Sequence, residues 1–332
     1  MSRAILQKGT AACAAVLLLA NAAPAQTRAD GVQDYPNRPV RLVVPSAPGG
    51  GTDIIARIIA QSVGEGWGET VVVDNRGGGG GTVGMGIVAR ASPDGYTMGL
   101  GSVGHLTFSP IVRPGLPYDP QKDLAPISLA AVQPFLVAVS PSLPVKSIKD
   151  LIALAKAKPG AIKYGSGGVG AASHVGVALL ELQADIKMLH VSYKGSNPAV
   201  TAVIGGEIDV ALAGLATILP HAKAGRVRPL AVTGSKRAQI APEIPTVAES
   251  GAPGYAFDVW YGLVFTGGTP PAIIAKANAQ VRERLMSPQV NALFLKVGVE
   301  PQTSTSEEFK ARIATEIATW RKVVKAANIK VQ

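Results

Sequence analysis

The sequence predicts an α/β protein built from two similar halves. Short apolar runs with the pattern of buried strands alternate with helical segments along the chain. Two of these strands, at residues 40–44 and 161–164, each lead into a glycine-rich turn and then a helix, so one strand–turn–helix unit occurs twice. Glycine is abundant and aromatic residues make up 5% of the chain, which favours tight packing of helices on sheets.

The first strand–turn–helix unit begins at residue 40. Residues 40–44 are rich in β-branched side chains, and Pro45 and Pro48 end the strand because proline lacks an N–H donor. Glycines at 49–51 allow a tight turn, and we expect Thr52 to cap the helix that follows. Such a helix N-terminus favours an anion, although a tight turn without a ligand is an equal alternative.

The second unit carries its turn at residues 165–170, which match the pattern G-x-G-x-x-G. A dinucleotide site also needs an acid at the end of the next strand, whereas Asp185 precedes that strand. Dinucleotide binding is therefore disfavoured. As an anion site, the turn needs only its backbone N–H groups with Ser166 or Ser173.

The remaining elements follow from hydrophobic periodicity. We expect further strands at residues 71–74, 96–100, 127–132, 135–140, 188–193, 208–212, 230–233 and 258–266, and further helices at residues 82–90, 147–157, 171–183, 197–204, 217–224, 307–327 and from residue 269. Thr305 and Glu308 fit a capping box at the start of the last long helix. Residues 110–126 are predicted to form a surface loop.

Two segments are predicted to cross between domains. One lies at residues 133–134, where a Gln-Pro pair separates two apolar runs, and the other lies near residues 254–260. The first domain then comprises residues 36–131 and 258–332, and the second comprises residues 132–257.

The first 25 residues are predicted to be a secretory signal peptide. Arg3 and Lys8 precede an apolar core at residues 11–20, and residues 23–25 form a small-x-small cleavage site. The single cysteine, Cys13, lies in this segment, so we expect an exported, periplasmic chain without disulfides or a thiolate nucleophile.

Charge and motif content disfavour several classes of function. The formal net charge is +10, but the basic residues are scattered and not interleaved with aromatic residues, so nucleic acid is not an expected partner. No metal spacing and no G-x-S-x-G elbow occur, and we expect no metal and no cofactor. The histidines are His105, His174, His190 and His221.

Two charged residues stand beside the predicted turns. Asp53 could accept a ligand amine, although an acid in a first helical turn more often serves the helix dipole. Lys194 could reach an anion, although an exposed lysine is the commoner explanation.

A series of short motifs runs through the chain in a fixed order. They are Tyr35-Pro36, Arg38-Pro39, Val44-Pro45, Pro48-Gly49-Gly50, Val73-Asp74-Asn75-Arg76, Pro93-Asp94-Gly95-Tyr96, Leu116-Pro117-Tyr118-Asp119-Pro120, Tyr164-Gly165-Ser166, Tyr193-Lys194-Gly195, Leu230-Ala231-Val232-Thr233, Pro245-Thr246 with Glu249, and Thr269-Pro270-Pro271. In this order they resemble the Bug family, the TctC-like extracytoplasmic solute receptors of tripartite tricarboxylate transporters. One departure is Ala213 to Ala216, where the family often carries phenylalanine or aspartate.

The resemblance implies a two-domain periplasmic binding protein of type II, a Venus flytrap. Each domain is then a mostly parallel sheet flanked by helices, with two crossovers and an organic anion between the domains. The turn at residues 46–52 would hold a carboxylate, and the turn at residues 166–173 would hold the other end of the ligand. The candidate ligand-binding residues are Ser46, Pro48, Gly49, Gly50, Thr52, Ser102, His105, Ser166, Gly167, Ser173 and Gly214.

The function expected from this resemblance is solute capture without catalysis. The partners would be a small organic acid and the membrane subunits of a tripartite tricarboxylate-type transporter, and the receptor would be a monomer. Di- and tricarboxylates, aromatic acids and amino acids all remain open, although Asp53 is the only evident acid, which leans away from amino acids. The alternatives are a secreted α/β hydrolase and a receptor that feeds a sensor kinase.

Overall fold

The computed structural model describes residues 34–326, in which ten strands and ten α-helices occur. The predicted signal peptide and residues 327–332 lie outside the described residues. The strands are β1 (Val40–Val44), β2 (Val71–Asn75), β3 (Thr97–Ser102), β4 (Leu124–Val139), β5 (Lys163–Ser166), β6 (Leu189–Ser192), β7 (Val210–Gly214), β8 (Arg228–Val232), β9 (Asp258–Thr266) and β10 (Glu300–Pro301). The helices are α1 (Gly51–Trp67), α2 (Thr82–Ala89), α3 (Ser109–Val112), α4 (Ile148–Ala157), α5 (Ala172–Ala184), α6 (Ser196–Ile204), α7 (Leu215–Lys223), α8 (Pro271–Leu285), α9 (Pro288–Lys296) and α10 (Ser306–Ala326).

The sheet consists of two halves with the same strand order. In the first half the order is β2-β1-β3-β9-β4, with β1, β2 and β3 parallel and β9 antiparallel to both neighbours. In the second half the order is β6-β5-β7-β4, and β8 pairs with the same part of β4. The repeated strand–turn–helix unit therefore gives two sets of three parallel strands. The first set joins β4 through β9, and the second joins β4 directly.

Strand β4 crosses between the halves. It pairs with β9 as far as Pro134 and with β7 from Phe135 onward. The prediction that residues 133–134 separate two strands was wrong, because β4 is continuous through them. Pro134 lies where β4 changes partners, and its missing N–H donor is tolerated there. The chain returns at Phe257, whose N–H donates to Thr233 O at 2.8 Å, immediately before β9. The domain boundaries stay a prediction.

Helix α10 covers the first half of the sheet. Its capping box is confirmed, since Thr305 N–H donates to Glu308 Oε2 at 2.9 Å and Glu308 N–H donates to Thr305 Oγ1 at 3.1 Å. Phe309 packs edge-on against Trp260, with ring centroids 5.5 Å apart. The Phe309 ring lies directly over Gly262 of β9, which leaves no room for a side chain at that position.

The expected surface loop at residues 110–126 is partly wrong. Helix α3 extends to Val112 and β4 already begins at Leu124. Between them, Tyr118 is buried and its hydroxyl donates to His105 O at 2.7 Å. This tyrosine thus supports the segment that follows β3, a long-range contact that local sequence patterns do not reveal.

The contact between Gly262 and Phe309 gives a test of the fold. A Cβ atom at Gly262 would lie 2.1 Å from Phe309 Cζ, so Gly262→Ala should lower the free energy of unfolding by about 2 kcal/mol. Gly205→Ala is the matched control, since its Cβ would meet no atom closer than Thr201 O at 3.5 Å. Urea unfolding of both variants measures the difference, and equal stability would contradict the packing described.

Candidate functional site

A cavity of about 30 Å³ lies between the two halves of the sheet, beyond the carboxyl ends of β1, β3 and β5. Ligand sites of α/β proteins commonly occupy this position. Six of the predicted site residues line it: Ser46, Thr52, Ser102, His105, Gly167 and Ser173. Seven further lining residues were not predicted from the sequence: Pro45, Phe135, Ala171, Ala172, Gly195, Ser196 and Tyr261.

The turn after β1 is held by a buried carboxylate. Asp53 Oδ2 accepts hydrogen bonds from Gly49 N–H at 2.9 Å and from Arg57 Nε at 3.0 Å. Burial would raise the pKa of Asp53, but these hydrogen bonds outweigh it and hold the pKa below its ordinary value. Gly50 is the N-cap of α1, so the expectation that Thr52 caps this helix was wrong. Asp53 therefore shapes the turn through the backbone of Gly49.

The turn after β5 uses side chains of α5 to fix its backbone. Gly167 N–H donates to Ser173 Oγ at 2.9 Å, and Gly170 N–H donates to His174 Nδ1 at 3.1 Å. Gly168 N–H also donates to Ser166 Oγ, at 3.1 Å, so three backbone donors of this turn are already occupied. The first residues of α5 add further backbone donors next to the turn.

A third helix N-terminus also reaches the cavity. Gly195 has φ +125°, and a Cβ there would lie 3.2 Å from Ala47 N in the turn after β1. Ser196 begins α6 and lines the cavity, whereas Lys194 is exposed and does not line it. At this strand end, Gly195 and Ser196 line the cavity, and the predicted candidate Lys194 does not.

Backbone donors from three helices are gathered at this cavity. The first N–H groups of a helix have no partner within the helix. No described residue accepts a hydrogen bond from the backbone N–H of Thr52, Ala172, Ser173 or Ser196. The buried hydroxyl oxygen of Ser46 likewise has no hydrogen-bond partner among the described residues. The cavity is thus suited to a ligand group that accepts several hydrogen bonds.

His105 lies at the end of β3 as a neutral side chain. Its Nδ1 accepts a hydrogen bond from Ser102 N–H at 3.2 Å and lies 3.1 Å from Ser102 Oγ. Burial lowers the pKa of His105 to about 4, and a hydrogen bond to the Gly80 backbone acts in the opposite direction. Because Nδ1 is an acceptor, we assign the ring proton to Nε2.

Two further histidines stack behind the second turn. The His174 ring lies 4.4 Å from the His190 ring, which lies 4.9 Å from the Tyr164 ring. Burial, His190 and Arg113 lower the pKa of His174 to about 3, and burial lowers the pKa of His190 to about 4. Phe108 of the first half meets the edge of His174, with centroids 6.0 Å apart. This neutral stack therefore connects the two halves.

The remaining predicted site residues surround the cavity without lining it: Pro48, Gly49, Gly50, Ser166 and Gly214. The Ser166 hydroxyl lies 2.6 Å from His190 Nε2, on the far side of the second turn. Gly214 N-caps α7 and packs against the side chain of Gln133. A role for these five residues in ligand binding stays a prediction.

Hydrogen bonds join the two halves around the cavity. Gly51 N–H of α1 donates to Thr217 Oγ1 of α7 at 2.8 Å. Arg113 Nη2 donates to Val169 O at 3.1 Å. A ligand too large to pass between the halves as they stand would enter only if these hydrogen bonds broke.

Other kinds of site are not supported in the described part of the chain. Residues 34–326 contain no cluster of His, Cys, Asp or Glu suited to a metal ion. No helix within the same residues has the length and apolar character needed to cross a membrane.

The chain is similar to known receptors over most of its length. A family model described as tripartite tricarboxylate transporter family receptor matches residues 55–329. Protein BugT of Bordetella pertussis is 34% identical over 299 residues, which cover 90% of this chain and 92% of BugT. The protein of the tcbD–tcbE intergenic region of a Pseudomonas strain is 35% identical over 299 residues, covering 90% of this chain and 89% of its own length.

Solved structures share the fold. The periplasmic binding protein BugD has a TM-score of 0.84 and 33% identity, covering 90% of this chain and 100% of BugD. A Rhodopseudomonas palustris protein solved with adipate has a TM-score of 0.85 and 35% identity over the same shares of the chains. MatC of Rhodopseudomonas palustris, solved with malate, has a TM-score of 0.82 and 29% identity, covering 87% of this chain and 100% of MatC. The two-domain periplasmic binding protein fold is thereby confirmed.

Because folded His105 is neutral, we expect the free energy of unfolding to decrease in acid. An unfolded histidine binds a proton below about pH 6.5, whereas folded His105 binds one only near pH 4. Because the unfolded chain binds more protons in this window, stability falls as the pH falls, by up to about 3 kcal/mol for His105 alone.

The measurement is the free energy of unfolding between about pH 7 and about pH 5 in the parent chain and in His105→Asn. Asparagine keeps an acceptor for Ser102 N–H but does not titrate. The free energy of unfolding should therefore fall less steeply with decreasing pH in the variant. If the free energy of unfolding depended on pH equally in both proteins, a neutral, buried His105 would be contradicted.

Proposed function

Because the chain belongs to the tripartite tricarboxylate transporter receptor family, whose members are solute-binding proteins and not enzymes, we propose that it captures a small organic carboxylate between its two halves for uptake by a tripartite tricarboxylate-type transporter. Family members have been solved with adipate and with malate. The hydrolase alternative has no support in this family.

One observation carries the proposal: unpaired backbone donors of three helices lie around one cavity. Each helix N-terminus carries a partial positive charge of roughly half a unit, and its N–H groups favour a carboxylate. A carboxylate oxygen can accept more than one hydrogen bond, so one group could engage donors of both halves together.

Closure of the halves would strengthen this binding. Thr52 belongs to the first half, whereas Ala172 and Ser196 belong to the second, so the donors surround one ligand only when the halves are together. Exclusion of water lowers the local dielectric constant and strengthens each charge-assisted hydrogen bond. Hinge closure around a ligand is an established motion of periplasmic binding proteins, and the segments at Pro134–Phe135 and Phe257–Asp258 are the proposed hinges.

The cellular setting follows from the family. Receptors of this kind are periplasmic, and the proposed export signal is residues 1–25. The proposed partners are the membrane subunits of the transporter, with the receptor acting as a monomer and without a cofactor.

Blocking the cavity tests the proposal. Ala172 is 7% exposed and lines the cavity, so Ala172→Leu should fill it and abolish the thermal stabilisation given by a binding carboxylate. In the parent chain, a ligand at 100 times its Kd should add about 2.7 kcal/mol. The control is Ala184→Leu at the other end of α5, which leaves the cavity unchanged.

A panel of organic acids, followed by thermal melting and calorimetry, provides the readout. Retained affinity in a folded Ala172→Leu variant would place the ligand elsewhere. A parent chain that no acid stabilises would contradict carboxylate capture itself.

A further inference from the structure

The segment that follows β3 packs directly against the backbone of the second half. A Cβ atom at Gly104 would lie 2.5 Å from Gly170 O and 2.6 Å from Ala172 N. The third nearest atom is Ala171 C, at 2.8 Å. All three atoms belong to the turn after β5 or to the start of α5, whereas Gly104 follows β3 of the first half. Only a glycine at this position therefore permits the halves to approach so closely.

The local conformation of Gly104 does not itself require a glycine. The residue begins a short helical segment, Gly104–Phe108, and its φ angle lies outside the left-handed region that favours glycine. Alanine also forms helix more readily than glycine does. Since the atoms nearest to an added methyl group are those of the second half, we attribute the need for glycine to the contact between the halves.

A methyl group at residue 104 could not be accommodated by a change of rotamer, because the three nearest atoms are main-chain atoms. Hydrogen bonds also hold the backbone on both sides. Gly170 N–H donates to His174 Nδ1 at 3.1 Å, and the Tyr118 hydroxyl donates to His105 O at 2.7 Å. Heavy atoms in contact pack at about 3.5 Å, so the methyl group would have to move the halves apart by roughly 1 Å.

A displacement of this size would reach the ligand donors of α5. The N–H group of Ala172 is one of the unpaired donors at the cavity, and its nitrogen is one of the atoms closest to the added Cβ. A hydrogen bond of about 2.9 Å that lengthens by roughly 1 Å is lost. Gly104 itself does not line the cavity, so its effect on a ligand would pass through the backbone of α5.

We propose that Gly104 is a positioning residue for ligand capture, because the hydrogen in place of a side chain lets the halves close far enough for α5 to present its N–H groups to a ligand held by α1. This inference rests on the proposed function and adds the residue at which closure is limited. A methyl group at residue 104 would leave each half folded and hold the receptor partly open.

The test is Gly104→Ala in the signal-free chain. The probe is whichever of malate, adipate, succinate, butyrate and benzoate raises the melting temperature of the parent chain most. Calorimetry should give at least about tenfold weaker binding in the variant than in the parent. Stopped-flow measurements should place most of the loss in a faster dissociation rate, because an incompletely closed receptor releases its ligand sooner.

Gly205→Ala is the matched control. Gly205 has φ −75°, and a Cβ atom there would meet no atom closer than Thr201 O at 3.5 Å. This variant adds the same methyl group outside the contact between the halves, so its affinity for the probe should equal that of the parent.

Small-angle X-ray scattering distinguishes a closure defect from a general loss of structure. At the probe concentration that saturates the parent, the radius of gyration should fall in the parent and in Gly205→Ala and fall less in Gly104→Ala. Without ligand, the melting temperature of Gly104→Ala should stay within about 3 °C of that of the parent, because no contact within either half is lost.

Parental affinity in Gly104→Ala would overturn the inference and leave the proposed function intact. Weakened binding with the full fall in radius of gyration would also overturn it, as would failure of Gly104→Ala to fold, since the first half itself would then require the glycine. A parent chain that neither the five probes nor a wider acid panel stabilises would instead contradict the proposed function, and this inference with it.

Discussion

Backbone-to-backbone contact joins the two halves of the sheet beside the cavity, between the glycine run at residues 77–81, which follows β2, and the turn after β5. A Cβ atom at Gly80 would lie 2.0 Å from Val169 O, and one at Gly168 would lie 2.4 Å from Gly80 Cα. Only glycine permits this approach, and both residues have positive φ angles that glycine adopts without strain. These turns meet without side chains between them, and helix N-termini of both halves line one small cavity nearby.

The electrostatic character of the cavity follows from this geometry. Main-chain donors supply partial positive charge without a lysine or arginine, and burial keeps His105 neutral. The charged residues nearby have structural tasks, as Asp53 shows by holding the backbone of Gly49. Fixed backbone dipoles thus favour an anion in the cavity without a charged side chain in its lining.

Much of the fold could be predicted from the sequence because its signals are local. The strand–turn–helix units and the capping box of Thr305 and Glu308 depend on neighbouring residues. The prediction failed where distant contacts decide the structure. Pro134 lies within one continuous strand because β4 changes partners there, and Tyr118 is buried because it contacts His105. At the site, both glycine turns were found, whereas Phe135, Ser196 and Tyr261 reach the cavity only through tertiary packing.

We propose that backbone N–H groups of α1, α5 and α6 bind the ligand carboxylate together. Amide NMR spectra of the signal-free chain, recorded with and without the carboxylate that gives the largest thermal shift, test this binding most directly. We expect downfield proton shifts at Thr52, Ala172, Ser173 and Ser196 that exceed those of amides in α9. Saturable binding that leaves these four amide protons unshifted would contradict it.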